Sequence, residues 1–240
     1  MLRNHTFLVS VFVALFSLVL SSPVEAKGPH SAKPVVSILG DSYSTFKGYI
    51  PDSYACWYDT TPLTDKIQAK KTDVNDVKQT WWWQLINDGG YILGVNDSYS
   101  GATISFTGYQ GEDYSDRSFI TRLPRLGSPD ILLIFGATND SWAGSPLGEF
   151  VYSDVAREDL YKFRPAMSRL LSEAVNRFPG TAIYFIINNG LKPEIESSIK
   201  AVCDHYKVAY IQLHDIDKLS GHPSRKGMKQ IATQVLEAIR

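Results

Sequence analysis

Short apolar runs recur along this chain, and each ends at a cluster of turn-forming residues. Val35–Leu39, Tyr91–Val95, Ile131–Phe135, Ala182–Ile187 and Val208–Leu213 have the length and the aliphatic, β-branched content of buried strands. Between them the apolar spacing changes to the helical period. Val77 to Asp88 reads as a helix with Trp82, Leu85 and Ile86 on one face, stopped by Gly89-Gly90. Glu158 to Phe178 repeats Leu160, Phe163, Met167, Leu170, Leu171, Ala174 and Val175 at helical spacing and ends at Pro179-Gly180. Pro165 lies inside that stretch, so a kink or a late start is expected there. Pro193 to Tyr206 and Ser224 to Ile239 complete the helices, with Ser224 as a cap. A long connection, Ser42 to about Asn75, is rich in Tyr, Asp, Thr and Lys. Strands alternating with helices predict an α/β fold: a three-layer α/β/α sandwich around a five-stranded, parallel, doubly wound sheet.

The N-terminus follows a different pattern. Arg3 and His5 precede the nearly unbroken apolar stretch Phe7 to Leu20, and Val24-Glu25-Ala26 then offers small residues at signal-peptidase spacing. Residues 1–26 are expected to be a cleaved signal peptide, residues 27–34 a short leader, and residues 35–240 one domain. Retention as a membrane anchor is the alternative, though the run is short for a span. Export would place Cys56 and Cys203 in an oxidising compartment, where they either pair or remain two buried thiols. The 240 residues, 44% of them hydrophobic and 20% charged, suffice for a sizeable core. A net charge of -1 gives no electrostatic reason to expect nucleic acid or an anionic membrane as partner.

In a parallel sheet the carboxyl ends of the strands share one edge, where open α/β folds bind ligands. Four segments that follow strands should therefore converge: Gly40-Asp41-Ser42, Asn96 to Gly101, Gly136 to Asp140, and His214 to His222. Each supplies one part of an acyl-transfer site. Ser42 is a nucleophile once a base takes its proton, and Gly101 lets a backbone N–H approach closely. Asn139 can aim an amide N–H, and His222, in Ser220-Gly221-His222-Pro223-Ser224, can act as general base. Taken singly, each segment reads as an ordinary turn. His214-Asp215 is the rival histidine site, because it also follows a strand.

The ordered set resembles the SGNH hydrolases, or GDSL family of serine esterases and lipases. Gly40-Asp41-Ser42, Ser100-Gly101-Ala102-Thr103, Gly136-Ala137-Thr138-Asn139-Asp140 and His222-Pro223 look like its four signatures, in order, over about Val35 to Arg240. Stretches such as Ser44 to Pro51 also look like secreted hydrolases from gut-type bacteria that handle plant polysaccharides. The resemblance implies Ser42 as nucleophile, His222 as base, and an oxyanion hole from the Ser42 and Gly101 N–H groups and the Asn139 amide. It implies no cofactor, and no set of side chains has a convincing metal-ligand spacing.

One position departs from the family pattern. The aspartate usually found three residues before the histidine is Leu219 here. Either a backbone carbonyl orients His222, leaving a Ser–His dyad, or the loop bulges so that Asp217, or less favourably Asp215, reaches it. Aromatic residues cluster between Phe46 and Trp83, and Trp142 follows the Asn139 motif. Trp57, Tyr58 and Trp142 are candidates to stack on sugar rings, which favours a carbohydrate deacetylase over a lipase, aryl-esterase or thioesterase. A catalytically impaired glycan-binding module on the same scaffold is the reading from a different class.

Overall fold

A computed structural model describes residues 32–240 of the chain. The expected signal peptide and most of the expected leader, with His5 and His30, lie outside the described residues. Strands β1 (Val35–Gly40), β2 (Ile92–Ser98), β3 (Ile131–Gly136), β4 (Ala182–Ile187) and β5 (Ala209–Gln212) form one parallel sheet in the order β2-β1-β3-β4-β5. Every strand expected from the apolar runs is present, within a few residues of its expected ends. A short antiparallel hairpin, β6 (Lys218–Leu219) and β7 (His222–Pro223), stands apart from the sheet.

Alternate side chains of the strands feed two separate cores. Leu39, Leu132 and Ile134 pack on one face, against helices α3 (Phe119–Arg122), α5 (Phe163–Arg177) and α6 (Pro193–Tyr206). Val36, Ile38, Leu133 and Phe135 pack on the other, against α2 (Trp81–Gly89) and α7 (Arg225–Ile239). The period of two along a strand places both helix layers and gives the three-layer sandwich.

Two helices begin later than periodicity suggests, and local chemistry explains both. Asp76 caps a single tight turn over Val77–Gln79, and Thr80 then caps α2, so the helix proper starts at Trp81. α5 starts at Phe163, which puts Pro165 in its first turn, where a missing N–H costs no helical bond. The helices α1 (Lys66–Lys71), α3 and α4 (Thr138–Ala143) were not expected, being too short to register a hydrophobic period. Both cysteines are free thiols: Cys203 is buried on α6, and the Cys56 thiol donates to the Tyr58 carbonyl.

Candidate active site

The strand order reverses direction between β1 and β3, the topological switch point at which such sheets open a crevice. Ser42 leaves β1 there on a single 3₁₀ turn (Ser42–Ser44) capped by Asp41, whose side chain accepts from the Tyr43 N–H at 3.0 Å. Gly40 is required by space. A Cβ at that position would lie 2.5 Å from Ser98 Oγ and 2.7 Å from Ser44 Cβ. Beneath this edge the buried Arg122 pairs with Asp97 and donates to the carbonyls of Gly40, Asp97 and Arg117, tying the ends of β1 and β2 together.

His222 Nε2 lies 2.9 Å from Ser42 Oγ. Nδ1 lies 3.1 Å from the carbonyl oxygen of Ser220. A carbonyl only accepts, so Nδ1 carries the proton and Nε2 is free to take one from the serine. The hairpin makes this possible. Ser220 and Gly221 both have positive φ (48° and 77°), as a two-residue I′-type turn requires, and Leu219 pairs across it with His222. The turn folds the Ser220 carbonyl back onto the ring.

Asp217, expected as one possible support, is not placed to serve as one. Its exposed carboxylate accepts instead from the Ser224 hydroxyl at the start of α7. The Asp215 carboxylate faces His214 at 3.3 Å rather than His222, and both are exposed. The arrangement is a serine–histidine pair with the imidazole oriented by a backbone carbonyl, the first of the two alternatives above. His222 is buried, and burial is the main reason its pKa is pushed down to about 4; Lys71 and Lys218 act in the same direction, and the Ser220 carbonyl opposes them.

The residues expected as oxyanion donors lie at the neighbouring strand ends. Asn139 is on α4, entered through Ala137 at φ 71°, and its Nδ2 donates to the Ala102 carbonyl at 2.9 Å. That bond uses one amide hydrogen and leaves the other available. The Ala102 carbonyl can only accept, which fixes which end of the amide is nitrogen, and Tyr109 donates to Asn139 Oδ1 at 2.9 Å. Gly101, at φ 86°, adopts a backbone conformation that a side chain would strain. Asp140, fully buried, accepts from the N–H groups of Ile104 (2.8 Å) and Ser105 (3.0 Å) and from the Ser105 hydroxyl (2.9 Å). It thereby binds the loop carrying Gly101 to the helix carrying Asn139. Burial raises the Asp140 pKa to about 6 against those hydrogen bonds.

Of the residues expected to meet a sugar, the most exposed is Trp142. It is 46% exposed and sits edge-on to His222, ring centroids 5.8 Å apart. Tyr58 is fully buried, with its hydroxyl on the Pro223 carbonyl at 3.0 Å, and cannot reach a substrate. Trp57 lies flat against His222, centroids 3.5 Å apart and planes within 7°, so one of its faces is covered by the imidazole. Tyr43, which sequence reasoning missed, donates to the Gly221 carbonyl at 2.6 Å and braces the same hairpin.

A model of the family described as GDSL-like Lipase/Acylhydrolase matches residues 34–239. The chain belongs to the GDSL-like lipase/acylhydrolase family. Crystal structures of two family proteins assigned as GDSL-like lipases are similar to it. One from Bacteroides ovatus is 55% identical over 87% of this chain and 99% of its own, with a TM-score of 0.82. One from Bacteroides uniformis is 48% identical over 87% and 96%, also with a TM-score of 0.82. A family two carbohydrate esterase from Clostridium thermocellum, in complex with cellohexaose, shares the fold at 16% identity and a TM-score of 0.55, over 86% of this chain and 63% of its own. No protein of curated function matches. Family membership makes this GDSL-like hydrolase an ester hydrolase acting on an ester-bearing substrate.

Proposed function

We propose that this hydrolase is an exported carbohydrate esterase that removes acetyl groups from a poly- or oligosaccharide through a Ser42 acyl-enzyme. The observation that carries the mechanism is the relay of Ser42 Oγ, His222 and the Ser220 carbonyl. Ser42 attacks the ester carbonyl as His222 Nε2 takes its proton, and the charge on the tetrahedral oxygen falls to the Ser42 and Gly101 N–H groups and the Asn139 amide. His222 then returns the proton to the leaving sugar alkoxide. Water enters, is deprotonated by His222, and releases acetate.

Three observations support a sugar as the alcohol. Trp142 presents an exposed indole beside the base, and flat apolar faces of that kind suit pyranose rings. The Clostridium thermocellum esterase that shares the fold was crystallised with a cello-oligosaccharide. The N-terminal pattern of Arg3, Phe7 to Leu20 and Val24-Glu25-Ala26 supports export to a space where polysaccharides occur.

The test is acetate release from acetylated oligosaccharides and hydrolysis of p-nitrophenyl acetate by residues 27–240 and by Ser42→Ala. Loss of both activities in Ser42→Ala is expected. Equal rates in the two proteins would overturn the mechanism. Turnover of aryl or long-chain esters without acetylated sugars would overturn the substrate.

A further inference from the structure

A histidine held by one carbonyl is under-determined. The Nδ1–H···O=C bond selects the tautomer and the direction in which Nε2 points, but leaves the ring free to tilt about it. Trp57 removes that freedom, since a stack at 3.5 Å and 7° fixes the imidazole plane. Trp57 is itself anchored to the nucleophile turn. Its N–H donates to Thr45 Oγ1 at 2.9 Å, and that hydroxyl donates to the Ser42 carbonyl at 3.0 Å. One short network therefore sets both the serine and the plane of its base.

The stack also acts on charge. When Ser42 is deprotonated, the neutral ring becomes imidazolium directly over an indole face, where the ring quadrupole favours a cation. This interaction is strongest in the transition state, when it lowers the barrier. In the usual triad a carboxylate supplies both orientation and charge stabilisation. The charged groups acting on His222 here are Lys71, from α1, and Lys218, from β6, and both disfavour the cation. The Lys71 ammonium also lies 4.7 Å from the Trp57 ring centroid. Tyr43 (5.3 Å, tilted) and Trp142 (5.8 Å, edge-on) complete an aromatic surround.

We propose that Trp57 is the positioning residue that takes over the work of the missing carboxylate, holding the imidazole plane and stabilising the imidazolium as Ser42 is deprotonated. This rests on His222 being the base, as proposed above.

The test compares Trp57→Phe, Trp57→Leu and Trp57→Ala on p-nitrophenyl acetate, with kcat, KM, the pH profile of kcat/KM and the thermal midpoint measured for each. Trp57→Leu fills much of the space without a π face and covers the case in which Trp57→Ala fails to fold. Loss of the cation–π contact should lower kcat in Trp57→Leu roughly 3- to 30-fold, with KM within about threefold of the parent. Trp57→Phe should restore most of the rate. Loss of the π face that favours imidazolium, with the ring still covered, should shift the acid limb of Trp57→Leu to lower pH than the parent's. A Trp57→Leu enzyme with parental kcat, or with a raised KM and unchanged kcat, would overturn the proposal; the second result would make Trp57 a substrate platform. Failure of the base assignment is distinguishable, because His222→Ala would then keep its activity whatever Trp57 does.

Discussion

Asp217→Asn separates a carbonyl-oriented dyad from a triad by orders of magnitude. The carboxylate of Asp217 is exposed and accepts from the Ser224 hydroxyl, while His222 Nδ1 is already satisfied by Ser220 at 3.1 Å. What the substitution removes is one exposed, charge-assisted hydrogen bond at the start of α7, a stability cost of about 1 kcal/mol. Ser224 keeps its capping role, since its oxygen still accepts from the Gly227 N–H at 3.1 Å. The main-chain contact between Asp217 O and the Ser224 N–H, at 3.1 Å, is also untouched. Kcat on p-nitrophenyl acetate should therefore stay within about threefold of the parent, accompanied by a thermal midpoint a few degrees lower. Loss of an aspartate that does orient a catalytic histidine costs about 10⁴ in kcat. Stopped-flow or steady-state rates at pH 7 resolve the two easily, and a fall of 10²-fold or more in a folded variant would refute the reading of Ser220 as the orienting group.

Asn139→Ala should lower kcat by about 10²–10³ with little change in KM, because the amide acts on charge that develops only in the transition state. The acid limb of kcat/KM should fall near pH 4 rather than 6.5, since burial keeps His222 neutral well below its ordinary pKa; a limb at 6.5 would mean that the ring is solvated. Gly40→Ala should unfold at markedly lower temperature and lose activity, because its methyl group would meet Ser98 and Ser44 in the turn that presents Ser42.

What could be read from the sequence was whatever depends on neighbours along the chain. A buried strand such as Ile131–Gly136 declares itself in six apolar or small residues, and a strand-end motif such as Gly40-Asp41-Ser42 in three. The parallel topology then brings those motifs together without further information. The support of His222 is of another kind. It depends on a two-residue turn whose φ values, 48° at Ser220 and 77° at Gly221, aim a carbonyl at a ring two residues later. Main-chain carbonyls leave no trace in side-chain identity. Trp57 makes a contact that its sequence context does not show. An aromatic residue in a loop says nothing about which of its faces is covered, and the ring that covers it lies 165 positions away, held there by Tyr58 and Tyr43 on the Pro223 and Gly221 carbonyls.

The same burial that keeps the base neutral has a cost at Asp41, and it can be measured. Asp41 is completely buried. One oxygen caps the nucleophile turn and the other, Oδ2, has no hydrogen-bond partner among the described residues. Burial raises its pKa to about 7, with the Tyr43 N–H and Arg122 pulling the other way. In the folded protein Asp41 holds a proton that the unfolded chain releases near 3.8. Stability from this group is therefore full at low pH and is lost as pH rises toward and through about 7, by up to roughly 3 kcal/mol between pH 5 and 8. His222 acts in the opposite sense. Its folded pKa lies below the unfolded one, so its contribution falls as pH drops from 6.5 toward 4 and partly masks the Asp41 slope in the parent protein. Asp41→Asn isolates the effect, because the amide is a permanent neutral mimic of the protonated acid and leaves His222 in place. Subtracting the variant's unfolding free energy from the parent's should give a difference that falls by about 2–3 kcal/mol from pH 5 to pH 8. A difference that stays constant across that range would mean that Asp41 is ionised throughout, and that the anion is stabilised by Arg122 across the buried edge rather than neutralised by desolvation.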